Sequence, residues 1–433
     1  MDSIAGIPYS TVEFNQDGDR IKEPDIPVDA RQVLIVSHGW KNDRGEADHM
    51  YRDLFKNFAA VHAEGTDGLA IIGVIWPSKK FDFDGDGMAA REEGEEGEEG
   101  KDGDMRAAGL DDGSAAAVNA EIAREFSRFE EFYADAGKEK QLAALREALP
   151  QLEQPAAKKA FVIGLRELLG TPDKTSGLDG SEFFFELDDP QAIFTNASGE
   201  SAEVDDAPNG GAGDVAGQGL GSAFKKIGNA VSSLLNMTTY YEMKKRAGTV
   251  GTLGLAPLIM ELAQRASIER IHLIGHSFGA RLVSAAAMHV ETPKLHSLFL
   301  LQAAFSHSGF APFGYFNDVV EKSRVSGPIV ITHTPNDKAV GKAYAIASRI
   351  VKDFANGLGD ANDKYGGLGR NGAVNLDSKY VSPACKALLA SGSAYDLQMG
   401  LIHNLESSAF IRNHGDVEGR EVAWAISRGV ALA

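Results

Sequence analysis

The feature that most constrains this chain lies well past its middle. A largely apolar segment, Ile271 to Ile274, runs into Gly275-His276-Ser277-Phe278-Gly279, and a small-residue, helix-like run from Arg281 to Val290 follows. A serine between two glycines, with a strand before it and a helix after it, sits on a tight, strained turn that pushes its hydroxyl away from the sheet. Gly275 and Gly279 leave room where the strand and helix backbones crowd together. The amide of Phe278 then stands at the helix start, placed to stabilise a developing oxyanion. An idle serine in a glycine-rich turn is the plain alternative. The flanking strand and helix argue against it.

Around this point the chain alternates buried strands with helices. Tyr9 to Phe14, a turn over Asn15 to Asp19, and Arg20-Ile21 read as a hairpin. Gln32 to Ser37 is a continuous apolar run, as a parallel strand buried on both faces requires. Asp48 to His62 reads as a helix with Tyr51, Leu54, Phe55 and Phe58 on one face, and Leu69 to Trp76 as a second buried strand. The same rhythm returns with Leu298 to Ala304, Pro328 to His333 and Leu405 to Ile411 as strands and Val422 to Val430 as a closing helix. The expected fold class is α/β, a mostly parallel central sheet with helices on both faces.

Between about Phe81 and Tyr241 nothing resembles a strand-helix unit. Residues 1–80 and 242–433 are expected to form one core, with 81–241 inserted as a largely helical cap or lid. Asp82 to Asp104 holds eleven acidic residues against Arg91 and Lys101, the composition of a solvated loop. Within it Asp82, Asp84, Asp86 and Glu93 match the spelling of an EF-hand calcium loop. No helix precedes them and glutamates crowd the last position, so an acidic surface loop is the favoured reading. Six glycines between Gly210 and Gly221 read as a flexible connector. Phe224, Ile227, Val231, Leu234 and Leu235 form a helical apolar stripe, either packed within a cap or lining an acyl pocket under a mobile lid.

Composition narrows the function. The net charge of −19 argues against nucleic acid and anionic membrane surfaces as partners. One cysteine, Cys385, excludes an internal disulfide and points to a reducing compartment. No signal-peptide pattern opens the sequence and no run of about eighteen apolar residues occurs, so a cytoplasmic protein without a transmembrane segment is expected. No cofactor or metal is expected.

The strand-Gly275-His276-Ser277-Phe278-Gly279-helix arrangement resembles the α/β-hydrolase family. Within it, His38-Gly39-Trp40 followed by Asn42-Asp43, and Met243-Lys244-Lys245-Arg246-Ala247-Gly248, look like a bacterial group of serine hydrolases of poorly defined function. The resemblance implies a nucleophile, acid and base in that chain order, which Ser277, Asp337 and His414 satisfy. It also implies a second oxyanion donor at the early His38-Gly39 turn, from the backbone of Trp40 or Gly39, beside that of Phe278. Both Asp337 and His414 follow expected strand ends, where sites form in open parallel sheets. Asp360 and Asp363 compete with Asp337, but no strand precedes them. His403 competes with His414, but falls before the last expected strand. His276 and His38 read as flanking residues and Arg281 as structural. The implied activity is a carboxylesterase or lipase-like cleavage of a small-molecule ester, with an apolar acyl group, through an acyl-serine. A peptidase or amidase with the same triad, and a silent binding module on this fold, are the alternatives.

Overall fold

Val33 and Ile35 join the apolar cluster on one face of their strand, and Leu34 and Val36 the cluster on the other. Successive side chains point to opposite faces, so a strand apolar at every position must be covered twice. The computed structural model describes residues 2–40, 43–78, 115–134, 136–170, 184–185, 188–198, 215–337 and 366–432. Among these, β1 (Asp2–Ile4), β2 (Ile7–Phe14), β3 (Arg20–Lys22), β4 (Gln32–Ser37), β5 (Leu69–Ile75), β6 (Arg270–His276), β7 (Leu295–Leu301), β8 (Ile329–His333) and β9 (Ile402–Glu406) form one sheet. Its order is β1-β2-β5-β4-β6-β7-β8-β9, with β3 also on β2. From β2 to β9 every neighbour is parallel; only β1 and β3 run against β2.

The helices are α1 (Arg44–Val61), α2 (Ala115–Phe132), α3 (Glu139–Ala148), α4 (Pro155–Leu169), α5 (Pro190–Ala197), α6 (Val215–Thr249), α7 (Ala256–Gln264), α8 (Phe278–His289), α9 (Asn317–Glu321), α10 (Leu368–Asn371) and α11 (Arg420–Ala431). Helices α1 and α11 pack together over one face, and α8 lies against α6 on the other. The chain leaves β4 to one side for β5 and returns on the other side at β6. The carboxyl ends of β4 and β6 therefore flank the point where strand order reverses, the usual place for a crevice.

The inserted helices α2 to α6 share one apolar cluster with the sheet face beneath them. Helix α6 crosses the junction expected at 241/242 without a break and continues through a π-helical turn, Val250–Leu255, into α7. The connector expected between Gly210 and Gly221 is helical from Val215 onward; its earlier glycines lie outside the described residues. Glycine disfavours helix by about 1 kcal/mol per residue, which the rest of this 35-residue helix overrides. Val231, Leu234 and Leu235 are fully buried, and α6 packs against α2, α4 and α5. That part of the stripe is interior to the helical layer.

The strand expected at Leu298 to Ala304 is Leu295–Leu301, and two further boundaries differ from expectation for reasons the structure shows. Helix α1 begins at Arg44, four residues early, because Asp43 caps it: its carboxylate accepts from the Gly45 and Glu46 amides while Glu46 reaches back to the Asp43 amide. The last strand is Ile402–Glu406, not Leu405 to Ile411. It pairs with β8 from Ile329↔Ile402 to His333↔Glu406, so the ladder stops where β8 stops. Beyond it Phe410 and Ile411 fold back through their amides onto Ser407 O.

Candidate functional site

At the end of β6 the backbone of Ser277 takes φ 55° and ψ −121°. Such a conformation is rare for a residue with a side chain and persists only where the surroundings enforce it. Here the amide of Ser277 donates to Leu301 O at 3.0 Å, and Ser277 O accepts from the Ala304 amide at 3.1 Å. The glycines on either side carry the crowding. A Cβ on Gly275 would stand 2.5 Å from Ala280 Cα, and one on Gly279 would collide with the carbonyls of Ser37 and His38. Gly39 packs on the serine itself: a Cβ there would lie 2.6 Å from Ser277 Cβ and 3.2 Å from its Oγ. Phe278 is the first residue of α8, so its amide has no acceptor within the helix.

Two loops bring the remaining groups. Asp337 lies beyond β8 and is fully buried. His414 lies beyond β9, in a turn where the Gly415 amide donates to Asn413 Oδ1. The hydroxyl of Ser277 lies 2.8 Å from His414 Nε2, and His414 Nδ1 lies 2.9 Å from Asp337 Oδ2. An ionised carboxylate only accepts, so Nδ1 carries the proton and Nε2 is left to accept from the serine. His276 sits alongside, its Nε2–H donating to His414 O at 2.9 Å with the two rings 5.0 Å apart. Burial, with His414 as neighbour, pushes the His276 pKa down to about 3, so this imidazole is neutral at ordinary pH. His38, pushed down to about 4 by burial, donates through Nδ1 to Gly39 O at 2.9 Å and stacks on Trp76.

No family model, curated protein or solved structure matches the chain. The functional reading therefore rests on this geometry.

Of the residues singled out in the sequence, Ser277, Asp337, His414, Phe278 and Gly39 converge here, and half-buried Trp40 stands beside them with its ring 6.1 Å from that of Phe278. His403 does not. It is a buried residue of β9, rather than a residue ahead of the last strand, and its Nε2 accepts the Gln398 amide at 2.9 Å. Arg281 is buried behind the Ser277 turn, donating to Lys244 O from α6 and lying over the rings of Tyr315 and Phe316. Asp360 and Asp363, and the calcium-loop candidates Asp82, Asp84, Asp86 and Glu93, lie outside the described residues.

Two residues near the site escaped the sequence reading. Tyr240, on α6, places its ring 5.1 Å from Phe278 and 6.4 Å from Trp40, so the inserted helices reach the site through an aromatic contact. Gln302, one residue past β7, donates through Nε2 to Asp337 Oδ2 at 3.2 Å. Its only sequence signal was a polar residue at the carboxyl end of an apolar strand.

Proposed function

We propose that this chain is a serine hydrolase of the α/β-hydrolase fold that cleaves carboxylic esters through an acyl-serine intermediate. The observation that carries the reading is the chain of hydrogen bonds from Ser277 through His414 to buried Asp337, with the serine on a strained turn at a helix N-terminus. His414 takes the Ser277 proton as Oγ forms a bond to the acyl carbon. The carbonyl oxygen then gains the negative charge, and the amide of Phe278, with that of Trp40 or Gly39, donates to it. His414 gives its proton to the departing alkoxide as the C–O bond breaks. Water repeats the sequence: it loses a proton to His414, attacks the acyl carbon, and Ser277 recovers the proton as it leaves.

Asp337 holds the Nδ1–H tautomer of His414 and stabilises the imidazolium that forms twice per turnover. His276 supports the same state in two ways. Its donation to His414 O fixes the loop that carries the base. Its neutrality keeps a second positive charge away from the imidazolium.

The direct test is a fluorophosphonate probe, which reacts with an activated serine at neutral pH. Ser277 should be labelled in the parent protein, and no label should remain in Ser277→Ala. Turnover of p-nitrophenyl esters beside peptide substrates then separates esterase from amidase. Equal labelling of parent and Ser277→Ala would remove the proposal.

A further inference from the structure

We infer that Gln302 is a positioning residue that ties the nucleophile turn to the catalytic acid; this rests on the hydrolase reading above. Gln302 is fully buried and its backbone has φ 45°, in the left-handed region. Glycine or asparagine is the ordinary occupant of such a position, and a glutamine there is kept only where its surroundings over-determine it. Both ends of its amide are engaged. Nε2 donates to Asp337 Oδ2 at 3.2 Å and to Gly369 O at 3.1 Å, while Oε1 accepts from Thr332 Oγ1 at 3.1 Å. Asp337 Oδ2 thus receives Gln302 on one side and His414 on the other. A second donor on that oxygen fixes its direction toward the imidazole and stabilises its ionised form.

The main chain makes the second connection. Leu301 O, the carbonyl just before Gln302, accepts the Ser277 amide, and the Ala304 amide two residues after Gln302 donates to Ser277 O. The strained turn at Gln302 and the strained turn at Ser277 are therefore one hydrogen-bonded unit at the ends of adjacent strands. Helix α10 braces it from outside: the Gly369 amide donates to Ala303 O, the Thr334 amide donates to Gly369 O, and Arg370 donates to the carbonyls of Pro335 and Asp337. A smaller residue at 302 would relieve the backbone but lose the amide that reaches Asp337.

Two near-isosteric variants test this. Gln302→Met removes the donor, and kcat on a p-nitrophenyl ester should fall about 30-fold or more with KM within about twofold, because misplacing a reacting group by a fraction of an ångström has effects of this order. Gln302→Glu keeps a donor only while the introduced carboxyl group is protonated. Once ionised, it faces Asp337 as a like charge, with His414, His276 and Arg370 as the other titratable or charged groups at hand. The ratio of its kcat to that of the parent should therefore fall as pH rises, which loss of packing alone does not produce. A Met variant within about threefold of the parent kcat, or a Glu-to-parent ratio flat with pH, overturns the inference; if the Met variant does not fold, the Glu ratio decides. A parent protein that neither labels at Ser277 nor turns over ester overturns the hydrolase reading and this inference with it. An active parent with indifferent variants overturns this inference alone.

Discussion

The sheet holds a serine against a histidine at both of its ends. At the carboxyl end Ser277 Oγ lies 2.8 Å from His414 Nε2; toward the amino end Ser297 Oγ lies 2.6 Å from His272 Nδ1. The difference lies in what surrounds each contact. Ser297 and His272 are paired across strands β7 and β6, just past a shift of register between Ile271 and His272, and both are fully buried. The other nitrogen of His272 meets the amide oxygen of Gln32, not a carboxylate, at 3.0 Å. Burial holds the His272 pKa well below the usual imidazole range, so it resists the proton a base must accept. At the carboxyl end the serine is on a strained turn at a helix start, and a buried carboxylate backs the histidine. A serine-histidine contact alone is thus a way to satisfy buried polar groups. At the carboxyl end strain, an acid and a helix N-terminus are added to the same contact, and the proposal that it performs chemistry rests on these additions.

The comparison breaks most sharply at the two serines. Ser277→Ala should lower kcat by about 10⁴ or more, while Ser297→Ala should leave kcat within about twofold. Stability should show the reverse: Ser297→Ala leaves His272 Nδ1 buried without a donor and should cost about 1–3 kcal/mol, whereas Ser277→Ala should cost little. Urea unfolding beside ester turnover measures both, and loss of activity in Ser297→Ala with an intact fold would end the distinction. The histidines repeat it more mildly. His414→Ala and Asp337→Asn should each reduce kcat by roughly 10³–10⁴ with little change in thermal midpoint, whereas His403→Ala and His272→Gln should act on the midpoint alone.

The inserted helices offer a smaller contrast. Val231 and Leu234 are interior to the helical layer, so Leu234→Ala should destabilise by about 2–5 kcal/mol and reduce turnover of acetyl and long-chain esters alike. Tyr240→Ala, beside Phe278 and Trp40, should instead change their ratio. Equal effects from the two variants would show that α6 does not reach the substrate.

The smallest expected effect is on pH dependence of stability. His38 and His276 have folded pKa values of about 4 and 3, below the ordinary imidazole value of about 6.5. Between those limits the unfolded chain binds more protons than the folded one, so unfolding is favoured as pH falls. The stabilising contribution of the neutral imidazoles is full above about pH 6.5 and is lost on the way to about pH 4 for His38 and about pH 3 for His276. The urea midpoint should fall from pH 7 to pH 5; a flat profile would contradict the burial of both rings in the neutral state.

Much of this was legible in the residues. Continuous apolar runs at Gln32 to Ser37 and Leu69 to Trp76 read as strands covered on both faces, and the strands found are Gln32–Ser37 and Leu69–Ile75. The glycines around Ser277 are dictated by carbonyls and Cα atoms that leave no room for a Cβ, and such crowding is written as a local pattern. Asp337 was legible as a polar residue soon after a strand end, whereas His414 was placed after Leu405 to Ile411, which is not a strand, and lies eight residues beyond Glu406. What only the tertiary structure decided was which polar groups meet across the ends of different strands. Gln302 carries no motif; its role arises where the turn after β7 passes beside the loop after β8, and no spacing along the chain encodes that meeting. His403 and the true limits of β9 were likewise set by pairing with β8, a partner 73 residues away at Ile329↔Ile402, and not by the apolar pattern of Leu405 to Ile411. Periodicity reports which face of an element is buried. The hydrogen-bond partners of a buried side chain depend on which elements become neighbours, and that is settled only when the sheet closes on its helices.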